Sequence, residues 1–272
     1  MYIVSTAMEK GEARAALYDG AYTLLVKKEG KDLAKLLKEL LAEGGVDASL
    51  VAYVGAATDN AEGSPECFAA ELEKEIGIKC YGTSLMSAKA LGEAYLANDV
   101  GGLVLLEIDD FVKSGIVIDK KVYAGVAQLG GKLGHLTVQH GGYPCACGRT
   151  GCFEAYAANG GVKRIAKDAG VKEADTLTVT ELFALNTPEA EKAKKVYTDY
   201  LACAITNVIN LFQPNELVLD GPFTQVGDAL MKPMMEFVLR EQYTRSSPDK
   251  CAVRFPNKEE DTALLGAALL GR

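Results

Sequence analysis

Both histidines of this chain and three of its seven cysteines fall in residues 134–154, GHLTVQHGGYPCACGRTGCFE. Thiolate and imidazole are the side chains that bind soft and borderline metals. Cys145 and Cys147 are separated by one residue, and Cys152 follows five later. Gly148 and Gly151 let the backbone fold tightly between them. The spacing predicts three thiolates converging on one centre. Cys3His is a closed tetrahedral set, so the expected cofactor is structural Zn2+ with no vacancy for a water. His135, ten residues before Cys145, and His140, five before it, are both open as the fourth ligand. Three free cysteines that happen to lie close, or a redox pair, are the plainer alternatives.

The elements around this loop alternate. MYIVSTAM and ARAALYDGAYTLLVKKE read as an antiparallel pair turning near Asp19-Gly20. KDLAKLLKELLAEGG places Leu33, Leu36, Leu37, Leu40 and Leu41 at helical spacing and stops at Gly44-Gly45. SLVAYVGAA reads as a buried strand, and SPECFAAELEKEIG as a helix with a Ser cap and Pro at its first position. IKCYG is a short strand and SLMSAKALGEAYLAN a helix. This alternation predicts an α/β layer with mostly parallel central strands. GGLVLLEID and KSGIVIDKKVYAG read as strands, the latter turning at Asp119-Lys120. A long helix follows the cysteine loop and ends at Gln213. ELVLDG is then a buried strand, VGDALMKPMMEFVLREQY a helix bent at Pro233, CAVRF a strand and DTALLGAALLGR a closing helix. The expected division is 1–100 and 101–260. Helix 261–272 packs back on the first part, and the zinc loop 135–152 lies in the second.

Composition narrows the function classes. The chain has 272 residues, enough for two domains or one large α/β unit. Apolar residues make up 49% and charged residues 24%, which argues against disorder. A net charge of −8 gives no broad surface for nucleic-acid phosphate. No signal peptide and no apolar run long enough for a membrane span stand out, so a cytoplasmic location is expected. Cys67, Cys80, Cys203 and Cys251 are scattered among apolar neighbours and read as reduced, buried thiols.

On the motif GGKLGH followed by CACGRTGCFEAYA, the sequence resembles the ROK family of sugar kinases and sugar-responsive repressors. The family pattern is G-E-x-G-H, about ten residues, then C-x-C-G-x-x-G-C-x-E. ARAALYDGAYTLL, SAKALGEAYLAND, NVINLFQPNELVLDGPFTQVGDAL and TALLGAALLG extend the resemblance over most of the chain. It implies a two-lobed, actin-like (ribonuclease H-like) ATPase fold and a homodimer. It implies that His135, Cys145, Cys147 and Cys152 hold zinc, and that His135 and Glu154 lie at a sugar pocket. From the residues alone, Glu154 also reads as a helix N-terminal carboxylate favoured by the macrodipole.

The catalytic positions depart from the family. Its N-D-A-N-A-A-A-L-G-E segment, which supplies the carboxylate base, stands here as SLMSAKALGE, so Leu85 occupies the base position and Ser84 the neighbouring Asn. Leucine accepts no proton. The first phosphate loop, D-x-G-G-T, falls on Ala7 to Gly11, AMEKG. The second, G-T-G-I-G-G-G, falls in IDDFVKSG, where Asp109 and Asp110 bring negative charge. These changes argue against ATP and Mg2+ as cofactors. Lys132 replaces the Glu of G-E-x-G-H, which alters how a ligand is recognised or gives Glu154 an ion-pair partner. Pro222 and Phe223 replace smaller residues beside Gly221, on the former adenine side.

The expectation is therefore a zinc-containing pseudokinase that takes a carbohydrate-like ligand or plays a regulatory part. The alternative is an active hexose or N-acetylhexosamine kinase with a relocated base, for which Asp59, Asp109 and Asp110 are candidates, with Asn60 beside Asp59. A transcriptional regulator is the third reading. The chain opens directly on its first hairpin without a helix-turn-helix and carries no basic stripe, so direct nucleic-acid binding is not expected.

Overall fold

In the computed structural model, residues 1–59, 64–126, 130–243, 246 and 250–272 are described. By packing, the chain divides into two compact units. The first comprises Met1–Leu103, Gly115–Gly130 and Asn257–Arg272, and the second Val104–Ser114 and Gly131–Pro256.

The first unit is built on a five-stranded sheet. β1 (Tyr2–Glu9), β2 (Glu12–Tyr18) and β3 (Leu24–Gly30) form an antiparallel meander, and β4 (Val51–Thr58) and β5 (Cys80–Ser84) add on parallel to β1. The order is β3-β2-β1-β4-β5. The opening strands are thus antiparallel, as read from the sequence, and β1, β4 and β5 run parallel. The turn at Asp19 joins β2 to β3, and its carboxylate accepts from Ala21 and Thr23 N–H, both at 2.9 Å. A second turn, absent from the sequence reading, joins β1 to β2. There Glu9 pairs with Glu12, and Lys10 and Gly11 both take positive φ (51° and 81°). That is the conformation a two-residue hairpin needs, reached here with a lysine instead of the usual Asn-Gly.

Helices α1 (Leu33–Gly44) and α2 (Pro65–Ile76) cover one face of this sheet. Leu36, Leu37, Leu40, Ala69 and Leu72 pack on Val4, Ala15, Leu17, Val54 and Ala56. The caps are those the sequence suggests. Gly45 ends α1 in the left-handed region, and Ser64 starts α2 by accepting from Cys67 N–H. α3 (Leu85–Leu96) and α9 (Thr262–Ala268) pack against each other, and α9 also lies on β1 and β4. Their backbones approach so closely at Gly266 that a Cβ would overlap the Ala88 carbonyl. Glu93 of α3 is fully buried and accepts from Asn257 N–H at 2.8 Å.

A second sheet has the order β10-β9-β6-β7-β8, from β6 (Leu103–Ile108), β7 (Val112–Ile118), β8 (Lys121–Val122), β9 (Glu216–Asp220) and β10 (Ala252–Arg254). Asp119 and Lys120, both at positive φ, make the β7–β8 turn. α4 (Glu154–Ala157), α5 (Asn159–Ala169), α6 (Val179–Ala184), α7 (Pro188–Phe212) and α8 (Asp228–Glu241) belong to the second unit, whereas β8 and residues 115–118 of β7 are counted with the first. α7 starts under a Thr187 cap with Pro at its first position and stops at Gln213 in the left-handed region. It buries Ala190, Ala193, Tyr197, Leu201, Ala204 and Val208, a helical stripe facing its neighbours α5 and α8. α8 continues through Pro233.

All seven cysteines are free thiols. Outside the loop, Cys80 is buried, whereas Cys67 is exposed and Cys203 and Cys251 are half-buried. The expectation of four buried thiols is corrected accordingly: Cys67 lies off the Ala69–Leu72 stripe of its helix. Among the described residues, no helix is long and apolar enough to cross a membrane.

Candidate functional site

The cysteine loop is closed by its own backbone. Phe153 N–H bonds Leu136 C=O at 2.7 Å, and Val138 N–H bonds Gly151 C=O at 2.8 Å. Gly151 N–H bonds Tyr143 C=O at 2.8 Å. Thr137 bridges to Cys152, and Pro144 to Thr150. Gly151 has φ 77°, and a Cβ there would overlap the Gln139 carbonyl, so only glycine lets these segments approach. Within the loop, Cys145 N–H bonds Arg149 C=O at 2.9 Å, and Gly148 N–H bonds Cys145 C=O at 3.0 Å.

This folding brings His135, Cys145, Cys147 and Cys152 together, with one ligand atom from each and all within 4.8 Å of one another. Cys147 Sγ is 3.7 Å from Cys152 Sγ, and Cys145 Sγ is 3.7 Å from His135 Nδ1. A tetrahedron with arms of about 2.3 Å has edges of about 3.8 Å, so the spacing fits four ligands on one ion. Burial pushes the Cys152 thiol up to about 12 and raises Cys145 as well, while the Arg149 N–H holds Cys147 below its ordinary value. Left to itself the cluster does not ionise as three thiolates; a divalent cation supplies the charge that would let it. The four residues could hold a metal. His140, the other candidate for the fourth ligand, is exposed and lies outside the cluster.

Glu154 sits against this cluster. One carboxylate oxygen accepts from Val112 N–H at 3.0 Å, and the other is 3.8 Å from Cys145 Sγ. Glu154 is the first residue of α4, a helix of four residues, and its carboxylate also satisfies the start of β7. Lys132 is exposed, and among the described residues no ion pair joins it to Glu154, which corrects the pairing considered above.

Three features of this region escaped the sequence reading. Tyr143, Tyr156 and Tyr200 stack with centroids 4.7 and 4.0 Å apart, and Tyr156 Oη accepts from Tyr143 N–H at 3.0 Å. Arg149 reaches from the cysteine turn to the backbone of His135. Asn159 Nδ2 donates to Asp109 at 2.9 Å and to Asp110 at 3.0 Å, so those two carboxylates converge on one amide. The aromatic residues flanking the cysteines were the available signal for the first; nothing local signals the other two. Gly221 has φ 129° and admits the Ile108 carbonyl where a Cβ would stand, and Phe223 beside it is buried.

The other candidates belong to the first unit. Leu85 is the first residue of α3 and only 3% exposed. Ser84 caps that helix, accepting from Ser87 N–H at 3.2 Å and donating to Ser87 Oγ at 2.9 Å. On the β1–β2 turn, Lys10 N–H donates to the Asp59 carboxylate at 3.2 Å, and Asp59 N–H returns a bond to Met8 C=O. Ala7 is buried. Glu9 pairs with Arg14 at 3.1 Å and Lys89 at 3.8 Å, and Arg14 also pairs with Asp261 at 3.2 Å. Asn60 lies outside the described residues.

Leu85 is thus part of the apolar packing of its unit. Leu85→Ala is expected to destabilise the protein by about 2–4 kcal/mol through loss of burial and a residual cavity. The urea midpoint followed by circular dichroism measures it. An unchanged midpoint would mean that the position is not packed.

The family model described as ROK family matches residues 50–272. The chain belongs to the ROK family. Curated ROK relatives include a glucokinase of Halalkalibacterium halodurans, 30% identical over 61% of this chain and 56% of its own length. The xylose repressor of Bacillus subtilis is 25% identical over 64% of this chain and 43% of its own length. The chain therefore spans about half the length of these relatives. Among solved structures, a ROK hexokinase from Thermus thermophilus superposes with a TM-score of 0.83 at 24% identity, covering 99% of this chain and 97% of that one. The fold is the actin-like fold of the ROK sugar kinases, with its two sheets.

Proposed function

We propose that this chain is a ROK-fold binding protein that takes a carbohydrate-like ligand without transferring a phosphoryl group, with one structural zinc closing its cysteine loop. The observation that carries the reading is Leu85. A buried hydrocarbon side chain, 3% exposed, fills the position from which the family motif supplies its base. Two further contacts support it. Lys10 N–H, on the turn where the family's first phosphate loop would fall, is engaged by the chain's own Asp59 carboxylate. Asp109 and Asp110, where the second glycine-rich loop would lie, are held by Asn159.

Zinc is the ion that suits three sulfurs and one imidazole nitrogen at tetrahedral spacing. It would supply a crosslink and a positive charge. His135, Cys145, Cys147 and Cys152 would hold it, with no vacancy for catalysis. Glu154 presents a carboxylate oxygen beside that cluster, and Lys132, an exposed cation, lies three residues before His135. On this reading those three residues meet the ligand. A homodimer working in the cytoplasm completes the proposal, by family resemblance. The names of the relatives, a glucokinase and a xylose repressor, favour a sugar.

The test is a thermal-shift panel of hexoses, pentoses and N-acetylhexosamines, each with and without Mg-ATP. At least one sugar is expected to raise the midpoint, and Glu154→Gln to remove that rise. Mg-ATP alone is expected to leave the midpoint unchanged. A clear ATP-induced shift at micromolar concentration contradicts the reading.

A further inference from the structure

The two segments that carry the metal-ligand residues, 133–137 and 145–152, meet at one side chain that the family motif leaves unspecified. Arg149 stands between Cys147 and Cys152 in the position after the motif glycine. Its carbonyl accepts from Cys145 N–H at 2.9 Å. Its guanidinium donates to the His135 carbonyl at 3.2 Å through one nitrogen and to Thr137 Oγ1 at 2.8 Å through the other. Arg149 therefore holds two ligand residues from opposite segments at once. The backbone ladder between these segments begins at Leu136, whose carbonyl takes Phe153 N–H, and His135 N–H bonds within its own turn to Lys132 C=O.

We propose that Arg149 is a positioning residue for the metal centre, fixing the backbone of His135 against the cysteine turn so that the imidazole completes the three-sulfur set. The proposal rests on the reading of the four residues as a metal site. A planar guanidinium reaches two acceptors in fixed relation, which a single ammonium does not. Removing it leaves Cys145, Cys147 and Cys152 in place and the ladder from Leu136 onward intact, but takes away the side-chain bond to the His135 carbonyl, so His135 is held on one side only. The predicted defect is thus the loss of one ligand, with the fold intact.

The test compares the wild-type chain with Arg149→Met, Arg149→Lys and Thr137→Val. Zn2+ affinity is read by competition with a chromophoric chelator, and Co2+ is used as the optical probe of the ligand set. Arg149→Met is expected to weaken Zn2+ by about 10-fold or more, as loss of groups that orient metal ligands does. Its Co2+ spectrum is expected to change to that of a centre with water in place of imidazole. Arg149→Lys recovers part of the affinity, and Thr137→Val, which removes one of the two acceptors, loses a smaller part. A merely structural role would lower the melting temperature and leave the Co2+ spectrum alone; that result, or unchanged Zn2+ affinity in Arg149→Met, overturns the proposal. Should Arg149→Met fail to fold, Thr137→Val carries the same test, and an unaltered Zn2+ affinity there overturns it equally. A wild-type chain that binds neither ion overturns the metal reading itself, and is told apart by failing before any variant is made.

Discussion

Cys152→Ser is expected to remove the metal from the protein and loosen residues 135–153. Cys152 is fully buried and its sulfur, one of the four ligand atoms of the cluster, lies 3.7 Å from Cys147 Sγ. A serine hydroxyl is a hard, neutral oxygen and does not replace a thiolate on a soft-ligand ion. The loop has little core of its own: His140, Cys147, Arg149 and Thr150 are all exposed. Metal binding to such a segment is folding free energy. Metal content should fall from about one zinc per chain to near zero. The melting midpoint should drop by several degrees, at about 2–4 °C per kcal/mol for a chain of this size class. The sheets and helices outside residues 135–153 are expected to keep their packing, so the loss stays local. Elemental analysis with calorimetry checks both numbers. Retention of stoichiometric zinc by Cys152→Ser would place the metal elsewhere.

ATP-dependent phosphoryl transfer to a hexose is expected to run at background. A positioned base contributes roughly 10²–10⁴-fold to such a step, and Leu85 supplies none of it. Phosphoryl transfer depends on backbone N–H groups aimed at phosphate oxygens. Lys10 N–H already serves Asp59. A phosphate entering there would displace that carboxylate or stand beside it, and like charges about 4 Å apart cost about 4 kcal/mol at an effective dielectric of about 20. Glu9, on the same turn, is held by Arg14 and Lys89. On the proposed reading the base and the anion cradle are altered independently, so restoring one is expected to leave the other defect.

What the sequence disclosed follows the range of the interactions. The convergence of His135, Cys145, Cys147 and Cys152 was readable because three cysteines and a histidine crowd into eighteen residues, where the glycines bring the chain back on itself. The caps Ser64 and Gly45, the Asp119-Lys120 turn and the apolar stripe of α7 were readable because each is local. Two turns tested the limit of local reading. Asp19-Gly20 carries ordinary turn residues, whereas Lys10-Gly11 does not announce a left-handed lysine. The contacts around the other candidate residues were hidden because they join distant positions. Asp59 meets Lys10 across 49 positions, Asn159 meets Asp109 across 50, and Glu154 meets Val112 across 42. Glu154 shows both ranges: the helix start was readable from its neighbours and stands as α4, whereas its bond to Val112 N–H on a distant strand was not. Packing also assigns 115–130 to the first unit, which no composition shift marks.

The most direct test of the account measures ADP release by the zinc-loaded protein with Mg-ATP, across hexoses and N-acetylhexosamines. Asp59→Ala, Asp109→Ala and Asp110→Ala are assayed alongside. The account predicts no sugar-dependent release above the rate without protein, for the wild type and every variant. Saturable, sugar-dependent release that one of these aspartate substitutions abolishes would contradict it and identify a working base.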